Sequence, residues 1–423
     1  MTPLPDKLAI QPFTRPVRGT VALPGSKSIT NRALILAALS KNTVTLRGAL
    51  FSRDTRLMVT ALRALGFTVE TNEAELTITI AGRGGKIPVR EATLEVGNAG
   101  TAARFLTAFV CLRPDGIFHF TGDEAMRRRP ISALLNALAT QGAEASARNI
   151  PFTLYTDGLR GGEVALDASE SSQLLSALLM VAPHAQSPMT VRLAGQTVSR
   201  PFVDMTERMI IRFAEGPADY AIEGDATAAS YFLALPLVTG GALTLPQFST
   251  TGGLQGDARF AAVLERAGLT LATTENPTGL EASFQPGFTG RGVTAGFNDF
   301  SDTFLTLAAI APLLSRPTRI TGIAHTRRQE TDRVAGAARE LRKLGQQIVE
   351  TEDSLEIHPQ PLTPGVEIET YDDHRFAMSF AILGCHNLHG DGRPWLSIRH
   401  PACCAKTFPA FFSLLGSLRA GSH

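Results

Sequence analysis

The chain has 423 residues and a mass of 45.1 kDa, more than a single core of about 250–300 residues usually serves, so two domains are expected. Hydrophobic residues make up 44% and charged residues 19%, a globular balance that excludes a disordered or fibrous chain. Forty Lys and Arg against 39 Asp and Glu leave a formal net charge of +1, which excludes a general electrostatic grip on nucleic acid or an anionic membrane.

In chain order, one pattern recurs: a loop of small or polar residues runs straight into an apolar helix. The six heads are LPGSKSITNRALILAAL from Leu23, VGNAGTAARFLTAFV from Val96, LDASESSQLLSALLMVAP from Leu166, IEGDATAASYFLAL from Ile222, FNDFSDTFLTLAAIAP from Phe297 and YDDHRFAMSFAIL from Tyr371. Ser, Thr, Asn and Asp at these starts predict N-caps, and the dense apolar residues behind them predict buried helices. A second, more amphipathic helix ending at a Gly is predicted over Arg53–Gly66, Arg129–Gly142, Asp257–Gly268 and Glu330–Gly345, with a weaker copy over Pro201–Gly216. TVETNEAELTITIAG and QQIVETEDSLEIHP, after two of these stops, read as strand pairs with a polar turn. Six β-α-β-α-β-β-like units account for nearly the whole chain, three to a domain, with Gly240-Gly241 as the expected seam. A doubly wound nucleotide-binding sheet is disfavoured, because no G-x-G-x-x-G follows a strand. Gly25–Ser28 lacks the upstream Gly of a Walker loop.

Cys111 and Cys385 stand alone and Cys403-Cys404 lack metal-ligand spacing, so the four cysteines are neither a disulfide framework nor a metal site. That usage suits a reducing, cytoplasmic setting. MTPLPDKLAIQPF has no basic segment leading into an apolar one, so no secretory signal is expected. Ala33–Leu39, among the longest apolar runs, is far short of the about 18 residues a membrane span needs.

Helix N-termini attract anions, phosphates above all. Lys27, Ser28, Arg32, Arg104, Ser171, Ser172, Gln173, Asp302, Asp373, His374 and Arg375 lie in or near the heads. Arg129, Ser199, Glu330, Arg333 and Lys406 lie at second-helix starts. Basic residues recurring at equivalent repeat positions in a nearly neutral chain predict a built cradle for a small, multiply charged anion.

LPGSKSITNRALILAAL, GNAGTAARFLTA, RRRPI, SSQLLSALLMVAP, EGDATAASYFLA, QETDR, DDHRFAM and AKTFP resemble, in order, the signatures of the 5-enolpyruvylshikimate-3-phosphate synthase family of enolpyruvyl transferases, from about Leu23 to Pro409. The resemblance implies an α/β fold of two similar domains, each an inside-out α/β barrel of three β-α-β-α-β-β units, closing on the substrates. Residues 25–240 would be inserted into a domain made of 1–24 plus 241–423. It implies transfer of the enolpyruvyl group of phosphoenolpyruvate to the 5-hydroxyl of shikimate 3-phosphate, with no metal or organic cofactor, glyphosate as inhibitor, and a cytoplasmic monomer. By the same resemblance, Lys27, Ser28, Arg32, Ser171, Ser172, Gln173, Ser199, Asp302 and Gln329 would meet shikimate 3-phosphate. Lys27, Gly100, Arg129, Gln173, Arg333, Arg375 and Lys406 would hold phosphoenolpyruvate. The chemistry needs a base for the hydroxyl, for which Asp302 is the candidate, and proton transfer at the methylene, for which Glu330 with Lys27 or Lys406 are the candidates.

Four positions depart from the family pattern. Gln329 stands where Lys is usual, with Arg327-Arg328 before it; Phe202 replaces a Tyr; Phe105 replaces a Pro expected in the first helical turn. HPACCAKTFP lacks the usual Asp and has Cys404 for Thr. One of the two arginines is expected to compensate for Gln329. The sister transferase acting on UDP-N-acetylglucosamine is the nearest alternative, but the stretch Thr121–Arg129 carries no Cys. A non-catalytic anion-binding paralogue is opposed by the joint retention of Lys27, Asp302, Glu330, Arg375 and Lys406.

Overall fold

The computed structural model describes residues 4–195, 199–276 and 278–421. The chain forms two compact units, Gly25–Glu223 and a second made of Met1–Pro24 with Gly224–His423. The far seam therefore lies at Glu223/Gly224, not at Gly240-Gly241. The helix Ala226–Thr239 decides this. Thirteen of its fourteen residues, all but Thr239, are buried, and Ser230 and Thr227 bond to Thr306 and Asp257 of the terminal unit.

The head helices are the cores. Every residue of Gly100–Val110, Phe304–Ile310 and His374–Gly384 is buried, as is Lys27–Leu39 from Ile29 onward. A helix apolar on all sides has to be wrapped by other elements, and here strands with one buried and one exposed face do the wrapping. Thr43–Arg47 shows the alternation, with Val44 and Leu46 buried and Thr43 and Arg47 exposed.

Four four-stranded sheets share one order. In the first, Thr43–Arg47 pairs in parallel with Asp219–Ala221 and antiparallel with Thr77–Ala81, which pairs in turn with Val69–Asn72. Both strand pairs read from the sequence are present: Val69–Asn72 with Thr77–Ala81, and Gln347–Glu350 with Ser354–His358. The third and sixth units keep only the parallel pair, Gly162–Leu166 with Met189–Leu193 and Val366–Ile368 with Leu396–Arg399. The reason is connectivity. The inserted unit opens directly on a helix, so its last strand, Asp219–Ala221, crosses to fill the first sheet. In the sixth unit Lys7–Ala9, from the chain start, completes the sheet against Leu396–Arg399.

Three second helices begin later than their polar lead-ins suggest, at Ser132, Phe260 and Arg333 rather than Arg129, Asp257 and Glu330. Gly256–Arg259 is a single 3-10 turn, and Asp332 is itself a cap, accepting from the Ala335 N–H at 2.9 Å. Arg200–Ala214, expected to be the weakest copy, spans 15 residues, and Arg200 donates to Asp204 one turn on at 2.7 Å.

Gly25 opens the inserted unit, and a methyl there would stand 2.0 Å from the Gly48 carbonyl oxygen. Overpacking against backbone cannot be relieved by rotamer change. Gly25→Ala is expected to destabilise the protein by about 1–3 kcal/mol. Thermal unfolding checks this; an unchanged midpoint contradicts the close approach.

Candidate active site

In the inserted unit the basic residues are set by helix starts. Ser26 caps Lys27–Leu39, and Lys27 places its Nζ 3.8 Å from Oδ2 of the buried Asp54. Arg32, one turn after Ser28, is 1% exposed and joins three helices. It donates to Thr206 Oγ1 at 2.7 Å, to the Ser28 carbonyl at 3.1 Å, to Ser176 Oγ at 3.2 Å and to the Phe202 carbonyl at 3.3 Å. All of these acceptors are neutral, and no carboxylate pairs with it among the described residues. Burial consequently pulls its pKa down to about 9. The Phe105 and Phe202 rings flank the guanidinium, with centroids 5.1 and 5.8 Å away.

Ser171 caps the helix Ser172–Val181, accepting from the Gln173 N–H at 3.3 Å. Gln173 Oε1 accepts from Arg104 at 2.9 Å, and Arg104 also donates to the Pro130 and Gly100 carbonyls. Arg129 is 7% exposed and donates to the Asn98 carbonyl at 3.2 Å. A methyl at Gly100 would lie 2.6 Å from the guanidiniums of both Arg104 and Arg129, so Gly is what allows the two cations to stand there. Ser199, with φ of 53°, turns the chain into the helix Arg200–Ala214 through a left-handed residue. The helix of Phe105 begins at Gly100, so the ring sits one turn further in than expected. There it packs on Arg32, and a Pro would remove a helical hydrogen bond rather than fit a first turn.

In the terminal unit Arg333, Asp373, Asp302, Arg375, Glu330 and Lys406 form one charged network. Arg333 is 1% exposed. It donates to Asp373 Oδ2 at 2.7 Å, to Glu330 Oε2 at 2.7 Å, to Asp302 Oδ1 at 3.2 Å and to Gln329 Oε1. Arg375 donates to the other oxygen of Asp302, and Lys406 Nζ donates to Glu330 Oε1 at 2.8 Å. Asp373 caps its helix by accepting from the Arg375 N–H at 2.9 Å. Burial works against the charge of Arg333 and Arg375, but Asp373 and Glu330 around the first, and Asp302 beside the second, more than offset it and raise both pKa values.

Gln329 thus faces Arg333. Arg327, one of the two arginines expected to compensate for it, is held by Asp332 at 2.9 and 3.0 Å, Glu350 at 3.1 Å and the Thr351 carbonyl at 2.6 Å. It is not available to a ligand. Arg328, exposed, is the remaining candidate.

Two acids escaped the sequence reading, Asp54 and Asp257. Both sit two residues before an Arg at a second-helix start, in SRDTR and QGDAR, and that repeat equivalence was the available signal. Asp257 is 5% exposed; one oxygen accepts from Thr227 Oγ1 at 2.7 Å and the other has no hydrogen-bond partner. Burial, and then the charge of Asp302, raise its pKa from 3.8 to about 7. A protonated Asp257 is therefore preferred in the folded state, and its contribution to stability is complete below about pH 4 and lost as pH rises through about 7. Asp257→Asn should remove that slope, gaining on the unmodified protein as pH rises from 4 to 8. Parallel unfolding midpoints across that range are the outcome that contradicts it.

Among the described residues no helix is long and apolar enough to cross a membrane, and no group of three or more His, Cys, Asp or Glu is arranged to hold a metal ion. A profile of the family described as EPSP synthase (3-phosphoshikimate 1-carboxyvinyltransferase) matches residues 13–216 and 213–415. The 3-phosphoshikimate 1-carboxyvinyltransferase of Opitutus terrae is 54% identical over 99% of this chain and 99% of its own length. That of Nostoc punctiforme is 40% identical over 96% and 98%. The solved EPSP synthase from Acinetobacter baumannii, at 23% identity, superposes with a TM-score of 0.77 over 97% of this chain and 98% of that one, a likeness of fold. With the family profile and relatives both matching it along almost its entire length, this chain belongs to the EPSP synthase family.

Proposed function

We propose that the chain carries out the reaction its family is named for, moving the enolpyruvyl group of phosphoenolpyruvate to the 5-hydroxyl of shikimate 3-phosphate and releasing phosphate. The observation that carries the assignment of roles is the terminal unit's network, in which Asp302 is held by Arg333 and Arg375 while Glu330 is shared between Arg333 and Lys406.

The two arginines form a planar-donor cradle suited to a phosphate or carboxylate. An arriving phosphoenolpyruvate competes with Asp302 for those guanidiniums. As they turn to the substrate, Asp302 is left as an unneutralised carboxylate, and so becomes a better base when substrate is bound. It takes the proton of the 5-hydroxyl as the oxygen attacks C2 of phosphoenolpyruvate, while C3 gains a proton. Phosphate then leaves and C3 gives a proton up. Glu330 and Lys406, 2.8 Å apart, form an acid–base pair that can deliver and recover that proton. Preorganised cations stabilise the charge of the tetrahedral intermediate.

In the inserted unit Lys27, Ser28, Ser171, Ser172, Gln173 and Ser199 supply donors for shikimate 3-phosphate, with Gly100 and Arg129 on the phosphoenolpyruvate side. Arg32 supports this reading electrostatically: a buried cation with no acidic partner among the described residues is most stable when an anion is near. Arg328 takes over the charge lost at Gln329. Glyphosate is the inhibitor expected at the phosphoenolpyruvate side, and a cytoplasmic monomer is the expected state.

The direct test is phosphate release with shikimate 3-phosphate and phosphoenolpyruvate, using UDP-N-acetylglucosamine as the competing acceptor. Release with the sugar nucleotide alone would overturn the assignment. Asp302→Asn keeps shape but removes the base, and should lower kcat by about 10²–10⁴ with substrate affinity within about tenfold. More than a tenth of normal turnover would rule Asp302 out as the base. Phe105→Leu keeps the core apolar but removes the ring over Arg32, and should weaken shikimate 3-phosphate binding about threefold to tenfold. Titration calorimetry reads this; unchanged affinity would make Phe105 packing alone.

A further inference from the structure

Asp373 and Arg375 are delivered to the network by a backbone that is strained. Tyr371 and Asp372, immediately before them, both adopt φ of 54°, two consecutive left-handed residues of which neither is Gly. Such conformations persist only where the surroundings over-determine them. Here the surroundings are one face of the helix Arg333–Lys343. Arg333, Gly336 and Glu340 lie at i, i+3 and i+7, and each meets the Glu369–Phe376 segment.

Arg333 holds Asp373, as described above. At Gly336 a methyl would come within 2.7 Å of the Phe376 ring and 3.4 Å of the Tyr371 ring, so Gly there lets the segment lie directly against the helix. Glu340 is fully buried. It accepts from the Tyr371 hydroxyl at 2.5 Å, from the Glu369 N–H at 3.1 Å and from Lys343 at 2.7 Å. The Tyr371 oxygen in turn accepts from the exposed Arg339 at 3.1 Å, and the Arg339 guanidinium stands 5.6 Å from the ring centroid. After the turn, the Asp373 N–H donates to the Thr370 carbonyl at 2.8 Å, closing it. Burial, followed by the Glu340 carboxylate, holds the Tyr371 pKa up at about 12, so the hydroxyl keeps the proton it donates.

We propose that Glu340 and Tyr371 are positioning residues for the reaction: their hydrogen bond clamps the left-handed Tyr371-Asp372 turn and so sets where Arg375 stands. The proposal rests on the reading of Arg375 as a phosphoenolpyruvate ligand. Neither residue touches substrate. Loss of the bond lets the turn relax toward ordinary backbone angles, and Arg375 moves with it, while Asp302 keeps its bond from Arg333 and Glu330 keeps Arg333 and Lys406.

Tyr371→Phe keeps the ring and removes the hydroxyl. It should raise KM for phosphoenolpyruvate about fivefold to twentyfold, with KM for shikimate 3-phosphate and kcat each within about twofold. Amide hydrogen exchange over residues 370–376 should quicken. Asp372→Gly in the Tyr371→Phe background, where Gly adopts positive φ freely, should recover most of the lost KM. A phosphoenolpyruvate KM within twofold, or a uniform loss of activity without rescue, overturns the proposal. Should Tyr371→Phe not fold, Arg339→Leu at its exposed site decides: a rise of about twofold to threefold in the same KM supports the clamp, and no change overturns it. Arg375→Lys separates the two readings. If it leaves the phosphoenolpyruvate KM unchanged, the ligand assignment fails and the exchange data alone judge the clamp. If it raises that KM while Tyr371→Phe does not, the clamp alone fails.

Discussion

Burying a guanidinium is tolerable only if opposite charge or good acceptors surround it, and the terminal unit is organised around that constraint. Arg333 and Arg375 are 1% and 5% exposed. Their partners come from different repeats: Asp302 from the fifth head, Asp373 from the sixth, and Glu330 from the lead-in to the second helix of the fifth unit. Two of these acids are also engaged elsewhere, Asp373 as a helix cap and Glu330 with Lys406. Loss of any one member leaves uncompensated charge on the rest, so the network ties helix starts that are far apart in sequence into one assembly. The proposed base and anion cradle are drawn from the same atoms that satisfy the burial requirement.

The inserted unit meets a similar requirement differently. Arg32 is as buried as Arg333, yet its partners are hydroxyls, carbonyls and two aromatic rings. That arrangement holds the cation in place without neutralising it. Of the two solutions, the terminal unit's gives a cluster whose charge is balanced until a ligand competes for the cations. The inserted unit's keeps an unspent positive charge. Phe105 stands where the resembled pattern has Pro, so one of the two rings over this cation comes from that departure; Phe for Tyr at position 202 keeps the ring and drops a hydroxyl.

Several expectations failed for local physical reasons. Gly240-Gly241 has the composition of a linker, but the helix before it buries thirteen of its fourteen residues in the terminal unit, and packing decides where a unit ends. Arg327 and Arg328 are indistinguishable as sequence neighbours. In the fold one is taken by Asp332 and Glu350, because its 3-10 turn points it back at the strand Gln347–Glu350. Asp257 drew no attention as one of 39 acids, and only burial beside Asp302 makes its protonation unusual.

Local pattern by itself determined the six heads, the caps Ser26, Ser171, Asp225 and Asp373 at four of them, the presence of the second helices and both strand pairs, because 3.6-residue and two-residue periodicity and capping preference are short-range effects; the heads at Gly100 and Phe304 lack a side-chain cap. It also placed Lys27, Asp302, Arg333 and Arg375 at helix starts, whereas Glu330 lies in the lead-in before Arg333 and Lys406 closes the 3-10 helix Pro401–Lys406; resemblance implied the roles of all six. Only the tertiary structure decided which charges meet. Arg333 and Asp373 are 40 residues apart, Lys406 and Glu330 are 76 apart, and Arg32 reaches Thr206 across 174. No periodicity spans such separations. They are selected by the burial of the head helices, which presses the charged groups at their starts to pair with the few opposite charges and acceptors that packing brings within reach.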